Sequence, residues 1–274
     1  MSKKIAIVTD STAYIPKQIV DQYQIHVAPQ ILIWGDETFQ DGVDIQPTEF
    51  YARLKTAKVM PSTSQATPGA FHRIFSELIE QDYDVLAILL AATLSGTISS
   101  AIQAKGMLPG TNIEIVDSQT TAMALGFHVL EAAKAAQAGA SLSDCVELAK
   151  RAQQHTGVVF AVDTLEFLHR GGRIGGANRF LGTALNIKPI LEVVNGRVEA
   201  IERVRTRKKS LTRLVELVEE KIAGRSPVYL ATLHANAAGE AEELLNEAAK
   251  RVQPTVKIFS EVSQIGRASC RERV

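Results

Sequence analysis

The chain has 274 residues, 46% of them apolar, enough to bury a large core and longer than the usual single domain, so two domains are expected. Thirty basic residues balance thirty acidic ones for a net charge of +0, which argues against a nucleic-acid or polyanion binder and confines any basic function to a local patch. Cys145 and Cys270 lack metal-ligand spacing, the start MSKKIAIVTDS turns polar too early for a signal peptide, and no apolar run approaches the ~20 residues that span a bilayer. A cytoplasmic protein in a reducing compartment, without stable membrane insertion, is the expectation.

Residues 5–8 form a short apolar strand ending in Thr9, Asp10, Ser11 and Thr12, before Pro16 opens a helix toward Tyr23. Asp10 fits either a helix cap or a hydrogen-bond partner of neighbouring loops. Residues 27–34 read as a strand interrupted at Pro29, which argues for an edge or a bulge. After a turn at 35–37 the chain returns through 39–45, and Pro47 starts a helix carrying Phe50, Tyr51 and Leu54. The segment PSTSQATPGAF (61–71) reads as a rigid polar loop. Thr67 and Pro68 suit a cap and first helical position, which leaves Thr63, Ser64 and Gln65 unused.

The continuous apolar run 85–91 suits a parallel strand covered on both faces. Thr93, Leu94, Ser95, Gly96 and Thr97 follow it and lead into a helix. A helix start has unpaired N–H groups and a positive partial charge, so hydroxyls there suit a carboxylate or phosphate; Ser95 or Thr97 as an ordinary N-cap fits equally. Residues 112–116 make another strand, ending in Asp117, Ser118, Gln119 and Thr120 before a long helix from near Ala122. Three strand, hydroxyl-turn and helix units predict α/β layers around a parallel sheet, with ligands gathered beyond the carboxyl ends of its strands.

In the second half, a strand at 158–162 precedes His169, Arg170 and the glycine-rich GGRIGG (171–176), which lacks the lysine of a phosphate loop. Arg173 is a candidate contact for an anion at a pocket mouth. Asn195-Gly196 between 190–194 and 198–204 is a strong hairpin signal. Arg203, Arg205, Arg207, Lys208 and Lys209 lead into a helix with an apolar stripe of Leu211, Leu214, Val215, Val218 and Ile222, so the basic run is either a solvated face or a docking patch. Strands at 228–233 and 256–262 flank a helix around 240–251. The six histidines form no metal spacing, and no catalytic residue, metal or cofactor is expected.

TDSTAYIP (9–16), DGVDI (41–45), STSQATPGAF (62–71), LSGT (94–97) and VDS (116–118), followed by GGRIGG (171–176), IKPIL (187–191) and RTRKKSL (205–211), resemble the DegV family in content and order over roughly residues 1–263. The resemblance implies a bacterial, non-enzymatic carrier of two α/β domains that buries a long-chain fatty acid and presents its carboxyl group to a separate fatty-acid kinase. Matched position by position, the carboxylate-binding hydroxyls fall on Thr63 and Ser95, while Arg173 and Arg205 are candidates for partner or phosphate contact. The physical reading agrees, because a buried carboxylate needs hydrogen-bond donors and two hydroxyls with helix-start amides supply them. Other readings are a phosphotransferase related in its layers to dihydroxyacetone kinases, and a lipid-sensing regulatory protein.

The expected organisation is a parallel-sheet α/β domain over 1–155 and a mixed-sheet α/β domain over 156–274, with the ligand between or within them. Residues 264–274, QIGRASCRERV, depart from the family, and the tail resembles read-through or an assembly error more than protein evolved to pack. The family's histidine near the carboxylate therefore has no counterpart.

Overall fold

The structure, a computed structural model, describes residues 3–54, 56–181 and 187–263. The tail at 264–274, expected from sequence to depart from the rest, lies outside the described residues. In chain order the first half contains β1 (Lys4–Asp10), α1 (Lys17–Tyr23), β2 (His26–Ala28), β3 (Ile31–Trp34), β4 (Glu37–Gln40), α2 (Pro47–Leu54), β5 (Ser62–Ser64) and α3 (Pro68–Glu80). It continues with β6 (Tyr83–Leu89), α4 (Thr97–Gly106), β7 (Ile113–Asp117), α5 (Ala122–Gln137) and α6 (Leu142–Ala152). The second half adds β8 (Val158–Ala161), α7 (Glu166–Arg170), β9 (Lys188–Val194), β10 (Arg197–Val204), α8 (Arg207–Ile222), β11 (Tyr229–His234), α9 (Ala238–Val252) and β12 (Val256–Glu261).

A parallel sheet of order β2-β1-β6-β7 is the centre of the first half. Along β6, Leu86 and Ile88 pack on one face with Leu125 and Val129 of α5 and Ala149 of α6. Val85, Ala87 and Leu89 pack on the other face with Phe71 and Phe75 of α3 and Ala101 of α4. Successive strand side chains point to opposite faces, so helices on both sides require the unbroken apolar run. The Thr67 hydroxyl accepts from the Ala70 amide at 3.1 Å, with Pro68 at the first helical position, and α3 thereby presents Phe71, Phe75 and Leu78 on one stripe.

Two local expectations differ from the structure. Residues 27–34 are not one interrupted strand: β2 ends at Ala28 in the parallel sheet, and after Pro29 and Gln30 the chain enters a separate antiparallel sheet of order β4-β3-β5. The third strand of that sheet lies in the segment read as a loop, with Thr63 opposite Leu32.

In the second half, β10-β9-β8 is antiparallel and β11-β12 is a parallel pair. Asn195 and Gly196 both have positive φ, 48° and 75°, and close the β9–β10 hairpin as expected from sequence. The two halves share α5, whose Met123 and Leu130 are buried against Ile258 of β12. Among the described residues, no helix is long and apolar enough to cross a membrane.

Candidate functional site

A cavity of about 1240 Å³ opens beyond the carboxyl ends of β6 and β7 and continues between α5, α8 and β11. Its polar lining includes hydroxyls of the first half, Thr63 and Ser64 of β5 and Ser95, Thr120 and Thr121 of the turns, together with charged groups such as Glu131, Arg151, Glu192, Lys221 and Arg225. Its apolar lining comes largely from the second half, with Val215 and Val218 of α8, Leu230 and Leu233 of β11, and Leu244 and Ala248 of α9. The amphipathic stripe expected on α8 therefore serves both core and cavity. Such a surface accepts a long apolar group with one polar end.

Thr63, Ser95 and Arg173 line this one cavity, although they are far apart in sequence. Thr63 is carried by β5, and Ser95 by the turn between β6 and α4. Arg173 donates from Nε to the Leu94 carbonyl at 3.1 Å and from a terminal nitrogen to the Gly171 carbonyl at 2.7 Å. The guanidinium is thus anchored beside the residue that precedes Ser95. Arg205 is not among the lining residues; it is exposed just before α8.

The capping alternative for Ser95 and Thr97 does not hold. The N-cap of α4 is Gly96, which makes no side-chain cap, and the Ser95 hydroxyl is instead 2.9 Å from the Thr97 hydroxyl. A Cβ on Gly96 would fall 2.9 Å from Nε2 of Gln65, so the Gln65 side chain packs closely over this turn and would have to swing aside to admit a side chain there.

Two buried carboxyls brace the turns. Asp10 Oδ1 accepts from the Thr12 amide at 3.0 Å and the Thr12 hydroxyl at 2.6 Å, while Oδ2 accepts from the Leu90 amide at 2.9 Å. It caps its own turn and ties the end of β1 to the chain after β6. Burial pushes its carboxyl above the ordinary range, against these hydrogen bonds. Asp41 Oδ2 accepts from Ser11 at 2.5 Å and from Ser263 at 2.8 Å, whereas its buried Oδ1 has no hydrogen-bond partner among the described residues. Burial pushes the Asp41 carboxyl up to about 6. Among the described residues, no group of three or more His, Cys, Asp or Glu side chains is placed to hold a metal ion.

The second half closes on these turns through the hairpin. Thr93 donates its hydroxyl proton to the Gly196 carbonyl, and neighbouring Asn195 lines the cavity. GGRIGG supplies Arg173 and leads into a short 3-10 turn at Gly175–Phe180. Sequence reasoning did not find Gln30, which is 2% exposed and lines the cavity. Its only sequence signal is its place directly after the strand-breaking Pro29.

The family model described as "Uncharacterised protein, DegV family" matches residues 4–268. The chain is 35% identical over 257 residues to Protein DegV of Bacillus subtilis (strain 168), covering 93% of this chain and 91% of that protein. The structure of DegV from Bacillus subtilis, named a fatty acid binding protein, aligns with a TM-score of 0.89 at 34% identity, covering 99% of this chain and 96% of the other. A DegV family protein from Thermus thermophilus, described for its fatty acid binding, aligns with a TM-score of 0.90 at 32% identity, covering 97% of this chain and 95% of the other. The chain belongs to the DegV family.

Proposed function

We propose that this protein binds a long-chain fatty acid, with its carboxylate at Thr63 and Ser95 and its tail along α5, α8 and β11. The observation that carries this reading is the convergence of Thr63, Ser95 and the anchored Arg173 on one apolar-walled cavity. The solved relatives from Bacillus subtilis and Thermus thermophilus, both named for fatty acid binding, support it. Burial of the tail supplies affinity at ~0.8 kcal/mol per CH₂ group, and the hydroxyls satisfy a head group that is otherwise costly to bury.

In this proposal a first domain, residues 1–155, carries the carboxylate loops, and a second, 156–274, supplies the lid and the partner-facing surface. The protein acts as a carrier that presents the acyl carboxyl group to a separate fatty-acid kinase. Exposed Arg205, Lys208 and Lys209 at the head of α8 suit an acidic partner, while Arg207 is held by Glu240 at 2.6 Å. Lipid extraction of the purified protein followed by mass spectrometry tests the binding reading. Co-purification of a long-chain fatty acid in near-stoichiometric amount is expected. If none co-purifies and added oleate does not bind, the reading is wrong.

A further inference from the structure

Gln30 joins the two hydroxyl-bearing segments. Its Oε1 accepts from the Ala66 amide at 3.0 Å, in the loop just after β5, and its Nε2 donates to Thr97 Oγ at 2.9 Å. A backbone N–H can only donate, so Ala66 fixes which end of the amide carries oxygen, and the NH₂ group must face Thr97. Gln30 also lies beside the buried Asp10 carboxyl and lowers its pKa against the effect of burial.

This orientation decides where the next protons point. Having accepted from Gln30, the Thr97 hydroxyl has two possible acceptors for its own proton: Ser95 Oγ at 2.9 Å and Gln30 Oε1 at 3.4 Å. Hydroxyl hydrogen bonds lie at roughly 2.5–3.0 Å, so Ser95 is the better acceptor for this proton; the reverse order, Ser95 donating to Thr97 and Thr97 to Gln30 Oε1, uses the longer contact. Ser95 is then an acceptor within the protein, and its own proton is left to donate into the cavity that it lines. The donors run in one direction, from Gln30 through Thr97 and Ser95 to the ligand.

We propose that Gln30 is a positioning residue that biases the polarity of this relay, favouring Ser95 as a donor and an acceptor-only head group, a carboxylate, over a neutral one. The inference rests on the fatty-acid reading above and adds what discriminates among head groups. Gln30→Glu reverses the relay: a carboxylate accepts from both Ala66 and Thr97, Thr97 then accepts from Ser95, and Ser95 has no proton for the ligand. Gln30→Met removes the polarising donor without imposing the opposite direction.

The test measures the affinity of wild type and both variants for oleate and for oleyl alcohol, which share a chain but differ at the head. Gln30→Glu is expected to weaken oleate by about tenfold or more, the scale of one lost hydrogen bond to a charged group, while oleyl alcohol, able to donate to Ser95, changes far less. Gln30→Met is expected to lower the oleate preference by a smaller factor in the same direction. Because Gln30→Glu places a second carboxyl beside Asp10, thermal unfolding checks its fold, and Gln30→Met decides the question if Gln30→Glu does not fold. Equal weakening of both ligands in the folded variants overturns the relay and leaves only a structural role. Failure of the wild type to bind oleate overturns the fatty-acid reading and the relay with it.

Discussion

The hydroxyl of Ser263 donates to the carboxyl of Asp41 at 2.8 Å across 222 positions of sequence, tying the segment after β12 to the turns around the cavity. Burial raises this carboxyl from 3.8 to about 6, so over that interval the folded chain holds a proton that the unfolded chain releases. The corresponding stability is fully present below the ordinary value and is lost as pH rises through about 6. The loss is at most ~3 kcal/mol at 1.36 kcal/mol per pH unit. Asp41→Asn should remove this contribution, so wild-type stability minus variant stability should decrease between pH 4 and pH 7. Urea unfolding at several pH values measures it, and parallel profiles for the two proteins would contradict the assignment.

On the proposed reading, Thr63→Ala and Ser95→Ala each remove one donor to a buried carboxylate. Each should weaken fatty-acid binding by ~1.5–3 kcal/mol while leaving the unfolding midpoint nearly unchanged. Isothermal titration with oleate measures the loss. A double variant that binds like wild type would remove both residues from the site.

Gly196 has φ of 75°, and a Cβ there would fall 2.5 Å from Thr93 Oγ and 2.8 Å from Ala91 Cβ. Gly196→Ala should therefore strain the turn and separate the hairpin from the Thr93 segment, at a cost of ~1–3 kcal/mol. A lower guanidinium midpoint with an unchanged slope is the expected result. No change would mean that the hairpin tip is not held against the first half in solution.

Arg205→Glu should leave fatty-acid affinity unchanged, slow association with a fatty-acid kinase most strongly at low salt, and reduce phosphorylation of the bound acyl group. The comparison uses a chain given a family-like C-terminus, with and without the charge reversal. Equal phosphorylation by the two proteins would reduce the basic run to a solvated face.

The sequence was most legible where one local signal sufficed. The apolar run at 85–91 fits β6 because helices cover both of its faces, and the Asn195-Gly196 turn carries its own backbone requirement. Thr67 and Pro68 likewise begin α3 where their chemistry places them. Elements defined by distant partners were not legible. Ser62–Ser64 is a strand because β3 lies beside it, and three consecutive hydroxyl residues give no apolar alternation to reveal that. Gln30 was missed for the same reason, since its partners Ala66 and Thr97 are 36 and 67 positions away. Ser95 was ambiguous because a hydroxyl at a helix start serves capping and binding alike; that Gly96 is the N-cap, with Ser95 turned to Thr97, separates the two, and the helix boundary that decides it is not written in LSGT.

The sharing of α5 between the halves also imposes an order of assembly. A two-stranded sheet is not stable alone, and β11-β12 rests on Met123 and Leu130 of a helix completed more than ninety positions before β11 begins at Tyr229. Although α8 and α9 bury Leu230 of β11, Ile258 of β12 is covered only once α5 is seated on the parallel sheet. Amide protection in refolding should therefore rise first in β1 and β6 and last in β11 and β12, so the slow step would be docking of the C-terminal strands rather than formation of the central sheet.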